Sequence, residues 1–162
     1  MGFDAPTGPV PTSDERELLL RYLQCQRELV VSTTVGLTDE QARWQPDGRL
    51  IPVVGVLNHL THVEWRWIDG SYGGQVVSRS EAEFHPSPDR SLAAVIDAYA
   101  ARAEATDQAV RAAPGLDVAC IAPGIPGVDL RWVLLHLIEE TAHHAGHADA
   151  TREMLDGHVS DW

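Results

Sequence analysis

Apolar positions recur with helical spacing in four stretches of the chain, and nothing between them alternates with the period of two that a strand requires. The first stretch carries Leu19, Leu20, Leu23, Leu29 and Val30. It is expected to begin near Ser13, where Thr12 and Glu15 have capping-box spacing, and to end near Gly36. Thr38 and Gln41 repeat that spacing and predict a short helical turn ahead of a break at Pro46, Asp47 and Gly48. The second long stretch starts near Pro52 and sets Val53, Val56, Leu60, Val63 and Trp67 on one side, with Gly70 and the Gly73, Gly74 pair expected to stop it. An alanine-rich third helix is predicted from about Asp89 to Ala113, between Pro88 and Pro114. Residues 114–128 hold three prolines and three glycines and read as a loop, after which Asp129 can cap a last helix reaching about Leu155. Four long helices joined in this way predict an all-α fold, a four-helix bundle.

A length of 162 residues fits one domain, with the bundle over 13–158 and a flexible N-terminal tail over 1–12. That tail has three prolines and no basic start or apolar core, so it does not read as a signal peptide. Apolar residues make up 44% of the chain and charged ones 22%, which is globular composition. No segment approaches the roughly 20 unbroken apolar residues of a membrane span. The net charge of −12 comes from 24 acidic against 12 basic residues and opposes any surface that neutralises phosphates, so neither nucleic acid nor membrane is expected as a partner. Cys25 and Cys120 lie far apart without a CxxC pattern and are expected as free thiols in the cytoplasm. Neither has a local signature of nucleophilic catalysis, and no glycine-rich phosphate loop occurs.

Six of the eight histidines fall in two windows, one on the second long helix (His59, His62) and one on the fourth (His136, His143, His144, His147). Side chains four residues apart on a helix stand one above the other, so Glu140 and His144 can grip one ion, but His136 with Glu140 and His143 with His147 share that spacing. The apolar stripe separates these pairs. Val133, Leu137, Ala148, Thr151 and Leu155 define one direction, with His144 near its centre, Glu140 close beside it and His143 well to one side. On the second helix His59 borders the stripe and His62 turns towards solvent. Metal candidates are therefore His59, Glu140 and His144. His147 ranks fourth, as an added or substitute ligand or a group that holds one. A lone helical histidine is usually exposed or satisfied by one hydrogen bond, but a carboxylate turned inward at Glu140 is costly unless paired, and a cation supplies the partner. Two imidazoles and one carboxylate leave positions open on a divalent ion, the arrangement of a reactive site rather than a structural one. Trp65, Trp67 and Trp132 at helical spacing read as packing before they read as a pocket wall. Glu64 is a candidate acceptor for a ligating imidazole, and Arg152 a partner for a substrate carboxylate or for an acidic neighbour on its own helix.

Residues 57–67 (LNHLTHVEWRW) and, more specifically, 130–153 (LRWVLLHLIEETAHHAGHADATRE) resemble the DinB-like superfamily, in its actinobacterial branch related to mycothiol S-transferases and to the N-terminal domain of maleylpyruvate isomerase. The superfamily pattern of one histidine on helix two and an H/E-x3-H pair on helix four falls on His59, Glu140 and His144. The resemblance covers nearly the whole chain. It implies an up-down-down-up four-helix bundle, often a homodimer, that binds zinc or, as the second choice, nickel. It also implies a thiol S-transferase that uses mycothiol as co-substrate and conjugates it to a small electrophile. The glutamate stands where many members have a histidine, which leaves the preferred metal open. Two further functions stay in view: a thiol-dependent isomerase of an unsaturated acid, and a non-catalytic metal-binding stress-response dimer. The isomerase has a second domain after the bundle, whereas this sequence stops at Trp162, which ranks the transferase first.

Overall fold

A computed structural model of the chain describes residues 8–46, 50–122 and 124–158. The predicted tail therefore lies outside the described residues over 1–7, as do Asp47 and Gly48 of the predicted break. Five α-helices follow in order: α1 (Glu15–Ser32), the short α2 (Asp39–Ala42), α3 (Val53–Trp65), α4 (Leu92–Ala112) and α5 (Leu130–Asp156). A π-helical run, Arg66–Tyr72, extends α3, and a single 3-10 turn, Glu81–Phe84, precedes α4. No strand occurs among the described residues, which makes the chain all-α.

The helix ends follow local chemistry. Asp129 accepts from the Trp132 N–H to start α5, and Gly157, with φ of 75°, closes it in the left-handed conformation open to glycine. Thr38 and Gln41 form the expected reciprocal cap of α2. Four boundaries differ from expectation, the first being the end of α1, which stops at Ser32 with a turn over 33–36 carrying the chain to Gly36. Asp14, not Thr12, caps α1, because its carboxylate reaches the N–H groups of Arg16 and Glu17, while the Thr12 hydroxyl accepts from the Asp14 N–H instead. Ser91 caps α4 and starts it at Leu92 rather than Asp89. Gly70 does not stop α3: the chain widens into the π-turn, sealed by the Gly73 N–H on the Ile68 carbonyl, and ends only where Gly74 takes φ of 78°.

Ion pairs and hydrogen bonds give the helix directions. At one end Arg131 of α5 pairs with Glu15 of α1, and at the other Arg152 of α5 donates to the carbonyls of Thr33 and Val35 just past α1, so these two helices run parallel. Arg90 meets Asn58 near the starts of α4 and α3, and Arg102 meets Asp69 further along both, so this pair is also parallel. The Thr151 hydroxyl on the Ile51 carbonyl and the contact of Trp67 with Trp132 set α3 antiparallel to α5. The resulting order is up, down, down, up. Two apolar clusters fill the interior, one around Leu23, Leu130, Leu134 and Leu137 and one around Val30, Leu57, Leu60 and Tyr99. No helix among the described residues is long and apolar enough to cross a membrane.

Polar groups also bridge the helices. Arg27 of α1 places Nε and Nη2 each 2.8 Å from the two carboxylate oxygens of Glu64 on α3 and reaches Asp107 of α4 at 2.9 Å, so one guanidinium ties three helices together. Glu64 therefore holds Arg27 rather than any imidazole, a correction to its expected role. Arg152 likewise pairs with its helical neighbour Asp156 at 2.9 Å, the second of its two expected partners. Removing one member of a buried pair leaves the other charge without compensation. Glu64→Ala is expected to lower the free energy of unfolding by about 3–5 kcal/mol, read by denaturant titration against the parent.

Candidate functional site

Because α3 and α5 run antiparallel, the middle of one faces the middle of the other. His59 then meets Glu140 and His144. His59 Nε2 lies 3.6 Å and His144 Nε2 3.5 Å from the same Glu140 oxygen, Oε1, and the two imidazole centroids are 4.7 Å apart. One ligand atom from each residue falls within 4.8 Å of the others. Both histidines are buried, and the Glu140 side chain keeps 31% of its exposure, so the cluster opens on one side. The imidazole of His144, and then that of His59, holds the Glu140 carboxyl well below the usual carboxylate range.

His59 is oriented by a residue that sequence reasoning missed. Glu83, on the 3-10 turn, is buried and sets its Oε2 3.1 Å from His59 Nδ1. Burial alone would raise the Glu83 carboxyl. The Arg66 guanidinium at 2.5 Å, the Ser80 N–H at 3.1 Å and His59 itself more than offset this and lower it. An ionised carboxylate only accepts, so the His59 Nδ1 carries the hydrogen, which leaves Nε2 as the atom that can give up its proton and ligate an ion. Phe84 stacks on the same ring at 4.2 Å, and Asn58 donates to the Glu83 carbonyl at 2.7 Å, so the turn holds both ring and carboxylate. Such close approach needs Gly55: a Cβ there would stand 2.2 Å from the Phe84 carbonyl oxygen. The spacing of Ser80 and Glu83, which form a reciprocal cap, is the one sequence signal that marked this turn.

The remaining donors fit a cation. The Nδ1 of His144 is buried with no hydrogen-bond partner among the described residues, and its Nε2 lies, with that of His59, beside one carboxylate oxygen. Once deprotonated, the two ring nitrogens and the carboxylate oxygen are three lone-pair donors converging on one place in a partly dry space, which one cation can satisfy together. The residue types and their convergence therefore fit a divalent metal. His147 stays outside this group: its ring lies 4.3 Å from His143 and 5.4 Å from His144, its Nδ1 is also unpartnered, and burial, then His143, lowers its pKa. His143 is exposed and His62 half-buried, turned onto the Asn58 carbonyl.

A cleft of about 430 Å³ opens beside His59 and Glu140. Trp67 and His136 form one wall, with centroids 4.6 Å apart, and Trp132 stacks on the outer face of His136 at 5.1 Å. Trp67 thus lines the cleft, and Trp132 supports that wall by packing. Trp65, 40% exposed, lies by His62 away from it. The π-turn explains why Trp67, Gly70 and Ser71 all reach the cleft, since its wider winding brings a longer arc of residues to one side.

An all-α bundle with two imidazoles and a carboxylate converging at a cleft between its antiparallel α3 and α5 defines the class of this protein. Residues 18–157 match the family model described as Mycothiol-S-transferase, and the chain belongs to that family. No curated protein matches it. Among solved structures, the crystal structure of a conserved protein from Enterococcus faecalis superposes with a TM-score of 0.66 at 16% identity, covering 91% of this chain and 100% of that one. At that identity the likeness shows the fold.

The tight seat of the 3-10 turn against α3 yields a test. Gly55→Ala is expected to push the turn away, at a cost of about 1–3 kcal/mol read as a lower melting temperature, and to shift the His59 ring resonances in NMR. An unchanged melting temperature and an unchanged His59 spectrum would show that the turn does not depend on this contact.

Proposed function

We propose that this member of the family is a metal-dependent thiol S-transferase that joins a low-molecular-weight thiol such as mycothiol to a small electrophile. The observation that carries the reading is the convergence of His59 Nε2, His144 Nε2 and a Glu140 oxygen within 4.8 Å at the edge of a cleft. These three residues would hold the ion, zinc first and nickel second, since imidazole nitrogen with one carboxylate suits both. A divalent ion in this donor set supplies the positive charge that keeps a thiol ionised at neutral pH.

The chain's own residues do the rest. Glu83, clamped by Arg66, fixes the tautomer and angle of His59, so that Nε2 faces the ion position without conformational search. Glu140 would offset part of the charge of an ion held there. The edge-to-face rings of Trp67 and His136 wall the cleft beside the reacting sulfur, and the Trp67 ring offers the electrophile an aromatic contact. In the reaction the thiol releases its proton, sulfur donates an electron pair to carbon, and either a leaving group departs with its own bonding pair or the proton returns to the adduct. Cytoplasmic location and a homodimeric assembly complete the reading. The free thiols of Cys25 and Cys120 support a reducing compartment.

Elemental analysis of protein prepared without any nickel column tests the site. About one divalent ion per chain is expected in the parent, and none in Glu140→Ala or His144→Ala. Glu83→Ala should bind the same ion with affinity lower by about 10–100-fold, measured by competition with a chelating dye. A parent that takes up no metal after reconstitution would end the catalytic reading.

A further inference from the structure

The cleft lining includes an arginine, Arg79, that has no part in the proposed transfer. Residues 74–80 connect the π-turn to the 3-10 turn without helical structure, and their alternate members Gln75, Val77 and Arg79 line the cleft. Facing one side at every second position is the period of extended backbone, and Val76 between them is turned fully outward at 101% exposure. Arg79 therefore lines the cleft in step with Gln75 and Val77, with its side chain exposed at the mouth. It makes no ion pair or hydrogen bond among the described residues. Arg66, beside it in the lining, spends one nitrogen on Glu83. Glu140 is the sole acidic side chain in that lining, although acidic residues outnumber basic ones 24 to 12 in the whole chain.

We propose that the cleft selects an electrophile carrying a carboxylate, which Arg79 receives, while the flat reactive part lies along Trp67 and His136. This deepens the transferase reading and rests on it for the reactive end. A guanidinium with all its donors free binds a carboxylate through two parallel hydrogen bonds, which neither an ester nor an amide can reproduce. In a chain of net charge −12, a guanidinium without an acidic partner among the described residues is also a place where an anion meets attraction. With a conjugated acid the step balances without an oxidant: sulfur bonds to one alkene carbon, the π pair moves to the carbon beside the carbonyl, and that carbon takes up the thiol proton.

The test compares monomethyl fumarate, an anionic acceptor, with dimethyl fumarate, its neutral counterpart, using mycothiol and the metal-loaded protein. The ratio of kcat/KM for the two is expected to favour the anion by about tenfold, to collapse in Arg79→Gln and to recover in part in Arg79→Lys. Calorimetric binding of monomethyl succinate, which cannot react, should weaken in Arg79→Gln by a similar factor. Equal ratios in parent and Arg79→Gln, with equal succinate binding, would overturn the proposal even if both fumarates are turned over, because the carboxylate would then sit elsewhere, such as on the ion. Succinate binding that depends on Arg79 in a protein that turns over neither fumarate would support the anion site and count against the transferase reading.

Discussion

The candidate site depends on one costly act, the burial of the Glu83 carboxylate. A charge taken out of water must be compensated within hydrogen-bond reach, and here Arg66, the Ser80 N–H and the His59 ring do so together. Those partners come from the π-turn, from the connection before the 3-10 turn and from α3. Satisfying one carboxylate therefore fixes three segments relative to one another. It also fixes which nitrogen of His59 faces Glu140. Gly55 makes the arrangement possible by letting the Phe84 backbone lie against α3, closer than any side chain would allow.

The same logic appears on the other side of the bundle. Arg27 serves Glu64 and Asp107 from a position between three helices, so the register of α1 against α3 and α4 is set by charge as well as by the apolar clusters. Arg152 does the equivalent for α1 and α5 through the carbonyls of Thr33 and Val35. A bundle held only by interchangeable leucines and valines can slide. These buried polar anchors define the register, and the register decides that His59 meets Glu140 and His144 rather than His136 or His147.

Much of the architecture was legible because helices announce themselves locally. The apolar period, the Asp129 cap and the prolines and glycines of 114–128 located α5 and its preceding loop, and the Thr38 to Gln41 spacing located α2. The stripe of α5 also ranked His144 and Glu140 above His143, and the structure brings them together with His59 while His143 stays exposed. Boundaries were less legible where two residues compete for one task. Thr12 and Asp14 both suit a cap, and the carboxylate that reaches two N–H groups prevails. Gly70 looked like a terminator because glycine usually is one, but the hydrogen bonds of a π-turn carried the helix past it.

What the sequence determined by itself was therefore the part that depends on neighbours a few residues apart: four long helices, their inward faces and the clustering of histidine and carboxylate on two of them. The pairing of Glu83 with His59, of Glu64 with Arg27, and of the wall from Gln75 to Arg79 with the cleft was decided only in three dimensions. The physical reason is that a buried charge has no periodic signature. Its cost is set by whichever opposite charge or donor the folded chain brings within about 3 Å, and that partner stands 24 residues away for His59 and 37 for Arg27.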